Sequence, residues 1–251
     1  MIKISKEKIQ NILDDPQAGF YLIDKPKPVN SFKAVAILRK VLNIKKVGFA
    51  GTLDPLASGL LIMATAKATK FLDVFHNLPK TYIADVLFGQ TSDTYDLEGK
   101  IEINKQAKSF DLADLEKNLS KFLGEQDQQA PIYSAKKIAG QKLHRLARAG
   151  KEVVAPSKKI NIYNLDILEF EYPKAKIKVT ASAGTYIRSL AYDLGQVMTT
   201  GALLADLRRT NIGDFDVDKA LLLDKISEDT LQKYRLDTNQ VIKSLGRLFL
   251  Q

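Results

Sequence analysis

The 251-residue chain contains no cysteine and only two histidines, His76 and His144. The lack of cysteine excludes disulfides, thiol catalysis and a cysteine-ligated zinc site. Two imidazoles are too few for a histidine-rich metal site. The first residues form no apolar signal-peptide core, and no apolar run is long enough to cross a bilayer. These absences predict a cytoplasmic protein with no membrane segment.

Positive charge is in excess along the chain. Lys and Arg outnumber Asp and Glu by 38 to 29, which gives a formal net charge of +9. Such an excess favours a polyanionic partner such as nucleic acid, because each phosphate that is neutralised releases counterions. A soluble protein that is merely basic has the same composition, so charge alone leaves both interpretations open.

Apolar patterns of two periods are intermixed along the sequence. Strands are predicted at residues 20–24, 59–66, 82–88, 160–172 and 175–182, and helices at 5–14, 31–42, 69–75, 109–123, 185–197 and 202–207. Ser31 and Ser109 are the predicted N-caps of two of these helices. Because no regular βαβ rhythm is present, we expect an α+β fold whose mixed, largely antiparallel sheet is flanked by helices.

One carboxylate stands in a short turn between two apolar runs. Residues 47–59 read Val-Gly-Phe-Ala-Gly-Thr-Leu-Asp-Pro-Leu-Ala-Ser-Gly, with Asp54 before a proline. An aspartate in such a turn often only accepts hydrogen bonds from nearby amides. A carboxylate that is held rigidly at the edge of a core can instead act as a nucleophile. The glycines at positions 48, 51 and 59 would allow a ligand or another backbone to approach closely.

Three further segments carry candidate functional side chains. They are Lys80-Thr81-Tyr82, Gly184-Thr185-Tyr186-Ile187-Arg188-Ser189-Leu190 and Ala202-Leu203-Leu204-Ala205-Asp206-Leu207-Arg208-Arg209-Thr210. Taken alone, Tyr82 is typical of a half-buried aromatic residue in a strand. Arg188 is typical of a surface arginine, and Leu207 is typical of a core residue. A basic stretch at residues 136–151 fits either a solvated helix face or a track for an RNA backbone.

Taken together, these segments resemble the TruB family of tRNA pseudouridine synthases. The turn is similar to the family pattern G-H-x-G-T-L-D-P-L-A-x-G, and the other three are similar to K-x-Y, G-T-Y-I-R-S-L and G-A-x-L-x-x-L-R-R-T. Asp24-Lys25-Pro26, followed by Asn30-Ser31, resembles D-K-P-x-G-x-T-S. The motifs occur in family order over about residues 20–215.

The resemblance implies a pseudouridine-synthase-like fold and isomerisation of uridine 55 in the T loop of tRNA, without cofactor or metal. It implies Asp54 as nucleophile or as base toward a ribose proton, with Arg188 as its ion-pair partner and Tyr82 as a stacking and catalytic residue. The substrate-binding residues that it implies are Tyr82, Tyr186, Leu207, Phe49, Lys25, Arg208 and Arg209. We expect a monomer with a catalytic domain at 1–225 and a C-terminal extension at 226–251 that is too short for a full PUA domain.

The sequence departs from the family pattern at a few positions and leaves other functions open. Phe49 stands where the family usually has His, and Pro28 and Asn30 replace Gly and Thr. One alternative is a non-catalytic tRNA-binding or tRNA-folding protein, and another is an enzyme guided by RNA and protein partners, which the short C-terminus disfavours. A third, metal-dependent hydrolysis, would use the carboxylates of Asp93, Asp96 and Glu98.

Overall fold

The computed structural model describes residues 6–134, 137–138, 141–143 and 155–241. The chain forms two compact units. Unit 1 comprises residues 1–80 and 208–251, and unit 2 comprises residues 81–207. Most of the basic stretch predicted at 136–151 lies outside the described residues. No helix in the described ranges is long and apolar enough to span a membrane.

Unit 1 is built around two long strands. Its elements are α1 (Lys6–Leu13), β1 (Gly19–Lys25), α2 (Ser31–Leu42), β2 (Val47–Ala50), β3 (Ala57–Thr65), α3 (Leu72–Asn77), β13 (Phe215–Asp216), β14 (Leu221–Leu222), α6 (Glu228–Tyr234) and β15 (Arg235–Leu236), with 3-10 turns at Ala66–Phe71, Val217–Lys219 and Leu223–Lys225. β1 pairs antiparallel with β3 and β15 and parallel with β14, and β2 pairs antiparallel with β3. The sheet of this unit is therefore mixed.

The core of unit 1 explains why the sequences of β1 and β3 are almost continuously apolar. Both strands are buried along almost their whole length. The rings of Phe20, Phe71 and Phe75 pack together in this core, with the centroids of Phe71 and Phe75 at 6.4 and 5.4 Å from that of Phe20. A strand covered on both faces shows no polar alternation. The buried strand predicted at 59–66 is confirmed.

The end of the chain belongs to the same unit as its beginning. In β15, Arg235 and Leu236 pair with Tyr21 and Phe20 of β1. Residues 226–241 therefore pack as part of unit 1. The division into a domain at 1–225 and an extension at 226–251 stays a prediction.

The described residues of unit 2 combine strands of one sheet with helices. Its elements are β4 (Lys80–Phe88), β5 (Gln90–Ser92), β6 (Ile101–Ile103), α4 (Leu112–Leu119), β7 (Gly124–Gln129), β8 (Lys137–Ile138), β9 (Gln141–Lys142), β10 (Ser157–Glu171), β11 (Lys174–Ala181) and α5 (Ile187–Val197), with a 3-10 turn at Ser120–Phe122. β12 (Ala202–Ile212) begins in this unit and ends in unit 1. The strand order is β12-β4-β11-β10-β7, and β10 pairs antiparallel with both β11 and β7.

The α+β class and the largely antiparallel sheet are confirmed, but the helix predicted at 202–207 is wrong. That segment begins the strand β12. Ala202, Leu203 and Leu204 are all buried, and a short run that is apolar on every side fits either period. Pairing within the sheet then decides in favour of a strand.

Two predicted helix caps are also wrong. Asn30, not Ser31, caps α2, because its side chain accepts the Lys33 amide at 2.9 Å. Asp111, not Ser109, caps α4 by accepting the Asp114 amide. In each case a side chain that caps as well as serine stands one or two residues away, and the helix begins directly after that residue. Because Ser31 does not cap α2, its hydroxyl is available to form other hydrogen bonds.

Candidate active site

Ser31 fixes the backbone immediately before Asp54. Its buried hydroxyl donates to the Leu53 carbonyl and accepts from the Leu53 amide, both at 3.0 Å. On the other side of Asp54, the Ala57 amide donates to the Asp54 carbonyl at 3.0 Å and closes a turn. The half-buried carboxylate is thus carried by a backbone that is anchored on both sides.

Gly51 supplies a second anchor for the same loop, which lies between β2 and β3. Its carbonyl accepts from the guanidinium of Arg209 at 3.0 Å, and its amide donates to Nε2 of His76 at 3.4 Å. Burial, together with the charge of Lys80, lowers the pKa of His76. A neutral imidazole can accept at Nε2, so this contact fits the lowered pKa. Gly51 has φ 74°, a left-handed conformation that favours glycine.

The close approach expected at Gly59 is confirmed. A Cβ atom at this position would lie 2.2 Å from the carbonyl oxygen of Arg209. The end of β12 therefore passes directly against the start of β3. Only glycine allows these two backbones to approach so closely, and their approach brings Arg209 beneath the loop.

Buried cations surround this loop. Lys25 is 0% exposed and donates to the carbonyls of Pro26 and Val29, at 3.1 and 2.5 Å. Arg209 is 1% exposed and also donates to the Leu60 carbonyl at 2.8 Å. Burial, reinforced by the charge of Arg209 and opposed by that of Asp54, lowers the pKa of Lys25 to about 8. Lys25 and Asp54 are therefore close enough to interact electrostatically.

Arg208 and Phe49 lie nearer the surface of unit 1. The guanidinium of Arg208 forms two hydrogen bonds with the carboxylate of Asp24, at 2.7 and 3.1 Å, and remains partly exposed. Phe49 lies in β2, and its ring meets that of Phe32 edge-on at a centroid distance of 5.4 Å. Arg208 thus keeps a surface that can meet a ligand, whereas buried Arg209 holds the loop.

In unit 2, Arg188 is a buried ion-pairing residue, and its interpretation as a surface arginine is wrong. It lies in the first turn of α5 and is 7% exposed. Its Nη1 lies 3.3 Å from Oδ2 of Asp96, and the guanidinium donates to the carbonyls of Thr94 and Tyr133 at 3.1 and 3.3 Å. The predicted pairing of Arg188 with Asp54 stays a prediction.

Asp96 is a residue whose role the sequence did not reveal. It is 1% exposed, and its Oδ1 accepts from the hydroxyl of Thr94 and from the amide of Glu98, at 2.5 and 2.9 Å. The neighbouring Asp93 accepts from the Lys100 amide at 2.8 Å. In the described ranges, no group of three His, Asp or Glu side chains could hold a metal ion. A buried arginine requires a counter-charge. The presence of Arg188 on an apolar helix was therefore the feature of the sequence that could have indicated a buried acidic partner.

The other predicted site residues of unit 2 lie in its strands or directly before its helix α5. Tyr186 precedes α5, and the side chain of Gln128 accepts from its amide and donates to its carbonyl, at 2.8 and 3.0 Å. Tyr82 is half-buried in β4, and Leu207 lies in β12, the strand beside β4. The structure therefore places Tyr82 and Leu207 on neighbouring strands, and Tyr186 beside Arg188.

Two family models match the chain. Residues 39–187 match the model of the TruB family pseudouridylate synthase N-terminal domain, and residues 188–249 match that of the tRNA pseudouridylate synthase B C-terminal domain. The chain belongs to the TruB family of pseudouridylate synthases.

Individual TruB-family relatives cover most of the chain. A tRNA pseudouridine synthase B of Clostridium tetani is 38% identical over 230 residues, which are 92% of this chain and 80% of the relative. One of Fusobacterium nucleatum is 43% identical over 206 residues, 80% of this chain and 69% of the relative. A crystal structure of a Cbf5–Nop10–Gar1 complex matches at TM-score 0.70 and 26% identity, covering 93% of this chain and 63% of that chain. The pseudouridine-synthase-like fold is thereby confirmed.

Next to Asp96, this TruB-family chain carries a stacked tyrosine pair. The rings of Tyr95 and Tyr192 stack at a centroid distance of 4.0 Å, with 20° between their planes. Burial raises the pKa of Tyr95, and Tyr192 and Asp193 add to this effect. Burial also raises the pKa of Asp193 to about 6. The stacked rings thus connect the loop that carries Asp96 with the helix α5, which carries Arg188.

Asp193→Asn is expected to stabilise the protein near neutral pH. Because the folded-state pKa of Asp193 is raised, its unfavourable contribution is small below about pH 4 and grows until pH passes about 6. The full shift would correspond to about 3 kcal/mol, but partial solvation should reduce the gain to about 1 kcal/mol. Urea unfolding of the wild type and the variant at about pH 4.5 and pH 7.5 measures this gain in the free energy of unfolding. Asp127→Asn, at an exposed position in β7, is the control, and an equal gain at both pH values would contradict the account.

Proposed function

We propose that this chain converts uridine 55 in the T loop of tRNA to pseudouridine, with Asp54 as the catalytic carboxylate. Family membership supplies the reaction class, and relatives named tRNA pseudouridine synthase B support tRNA as the substrate. The observation that carries the role of Asp54 is its loop, which Ser31, Arg209 and His76 anchor from three sides. An anchored carboxylate can be aimed at one atom of a substrate.

The reaction exchanges one glycosidic bond for another. The N1–C1′ bond of the uridine breaks, the uracil turns, and a C5–C1′ bond forms while C5 loses a proton and N1 gains one. Asp54 would attack as a nucleophile or remove a ribose proton. The product is an isomer of the substrate, so no electrons are transferred and no cofactor or metal is required.

The target base has to leave its stack before Asp54 can reach the sugar. Extrusion costs a few kcal/mol, which stacking on Tyr82 and contacts with Tyr186 and Leu207 would offset. Arg188, whose guanidinium is fixed on one side by Asp96, would orient Asp54. A group that holds the catalytic carboxylate in this way should affect turnover more than binding.

The cationic residues divide into two roles in this proposal. Arg208 is partly exposed and would meet an RNA phosphate, and Phe49 would contact the RNA nearby. Lys25 and Arg209 are buried, so they would act on the loop and on Asp54. The protein would work on the T arm as a monomer in the cytoplasm.

Product formation with purified components tests the proposal. The chain alone is incubated with a T-arm stem-loop RNA, and pseudouridine is detected by carbodiimide derivatisation and mass spectrometry. We expect one pseudouridine at the position of uridine 55, none when that uridine is replaced by cytidine, and the same yield in the presence of a chelator.

Other outcomes would select another function. RNA binding without product would favour the non-catalytic tRNA-binding protein. A product that forms only after guide RNA or protein partners are added would favour the guided enzyme. Loss of product in chelator would contradict the metal-free reaction.

A further inference from the structure

Phe32 is an aromatic residue exposed at the start of α2. Its side chain is 71% exposed, although it lies in the first turn of a helix whose opposite face is buried. Single exposed apolar side chains are common and need no function. Phe32 differs from these in three respects. A neighbouring ring supports it, it lies beside the candidate catalytic loop, and nearby residues carry positive charge.

The first observation is that the ring of Phe32 is supported. The ring of Phe49 meets it edge-on, with 81° between the planes and a centroid distance of 5.4 Å. This geometry is favourable for aromatic pairs and restricts the rotation of an exposed side chain. A ring whose position is fixed by one neighbour loses less entropy when a ligand stacks on its free face.

The second observation is the position of Phe32 next to the Asp54 loop. Phe32 directly follows Ser31, and Leu53 directly precedes Asp54. Two hydrogen bonds of 3.0 Å join Ser31 to Leu53. The aromatic pair is therefore attached to the same anchor that holds the candidate catalytic carboxylate.

The third observation is the charge around the pair. From residue 25 to residue 53 the chain carries seven Lys or Arg residues and no Asp or Glu. Five of them, Lys33, Arg39, Lys40, Lys45 and Lys46, are exposed on α2 or in the turn that follows it. An exposed ring among cations has the character of surfaces that bind unpaired nucleotides, where bases stack on aromatic side chains and phosphates meet cations.

We propose that Phe32, supported by Phe49, is a stacking platform for an unpaired base of the RNA next to the uridine that leaves its stack. The platform would hold the loop open around the extruded nucleotide while the exposed cations neutralise the backbone. This inference rests on the proposed function, because it presupposes an RNA substrate whose target base is extruded beside Asp54. It adds a residue that determines RNA affinity.

Substitutions at Phe32 test the platform in the full chain. We expect Phe32→Ala to weaken binding of the T-arm stem-loop about 10-fold, within the range found for loss of one base–aromatic stack. The single-turnover rate at saturating protein should stay within about threefold. Phe32→Tyr and Phe32→Trp keep an aromatic face and should retain the affinity, whereas Phe32→Leu should behave like Phe32→Ala. Ile103→Ala, at a position that is 72% exposed in unit 2, is the control.

A fluorescent base reports stacking directly. 2-Aminopurine is placed at each loop purine in turn, and its emission is compared in complexes with wild-type and Phe32→Ala protein. We expect quenching at one position that is at least about twofold stronger with the wild type. Wild-type affinity in Phe32→Ala, full affinity in Phe32→Leu, or equal quenching at every position would overturn the platform. A wild-type protein that binds RNA but forms no pseudouridine would instead refute the proposed function.

Discussion

Asp54→Asn is expected to reduce pseudouridine formation by at least about 10⁴-fold, the scale seen when an enzyme loses its nucleophile. Asparagine is the same size but has no negative charge with which to attack carbon or accept a ribose proton. The contacts that hold the loop use the backbone of Leu53 and the carbonyl of Asp54, so the substitution leaves them intact. RNA affinity should therefore remain within about twofold.

The Asp54 experiment is read under single-turnover conditions with a T-arm stem-loop. Asp214→Asn is the matched control, since Asp214 is also a turn aspartate of unit 1 but is exposed. This control should retain wild-type turnover. Near-normal activity of Asp54→Asn would remove Asp54 from the reaction, and an equal loss of RNA affinity and turnover would indicate a binding role.

Arg188→Met is the second substitution with a large expected effect. It should lower turnover by about 10³-fold and RNA affinity by less than about threefold, because an orienting group acts mainly in the transition state. Its removal also leaves the buried carboxylate of Asp96 without its cation. Breaking a buried pair in this way should reduce the free energy of unfolding by about 3–5 kcal/mol.

A second variant separates the role of Arg188 in folding from its role in turnover. Adding Asp96→Asn to Arg188→Met removes the uncompensated charge and should restore most of the lost stability. Turnover should stay low, because the guanidinium that would orient Asp54 is still absent. Urea unfolding and single-turnover assays of both variants give the two quantities. Recovery of turnover together with stability would show that Arg188 is structural only.

The sequence predicted those parts of the fold where one local signal dominates. β11 was evident because Ile177, Val179 and Ala181 alternate with polar residues, and the structure buries these three. The helix that begins at Ile187 was evident from its apolar spacing, which placed Arg188 in its first turn. Local periodicity sufficed for β11 because that strand has one buried face.

Elements that depend on distant partners were not predictable in the same way. β12 contains Arg209, a charged residue at a buried position, which interrupts the apolar and polar alternation expected in the sequence of a strand. Its guanidinium is satisfied by the carbonyls of Gly51 and Leu60, about 150 residues earlier in the chain. No local pattern in the sequence indicates partners that are so distant along the chain. The apolar residues at 202–204 were therefore compatible with a helix.

The candidate site shows the same limit. Resemblance to family motifs identified Asp54 and Arg188, but it did not identify the groups that hold them. Ser31 resembled a helix cap, and Asp96 resembled part of an acidic loop. Their roles follow from contacts with Leu53, 22 positions away, and with Arg188, 92 positions away. Such contacts are fixed by the tertiary structure.

Mapping of pseudouridine in whole tRNA measures whether Asp54 is required to modify uridine 55. Unmodified tRNA is incubated with the purified chain or with its Asp54→Asn variant, derivatised with carbodiimide, digested and sequenced by mass spectrometry. We expect one new pseudouridine, at position 55, with the wild-type chain and none with the variant. Pseudouridine at another position only, or an unchanged yield with the variant, would contradict it.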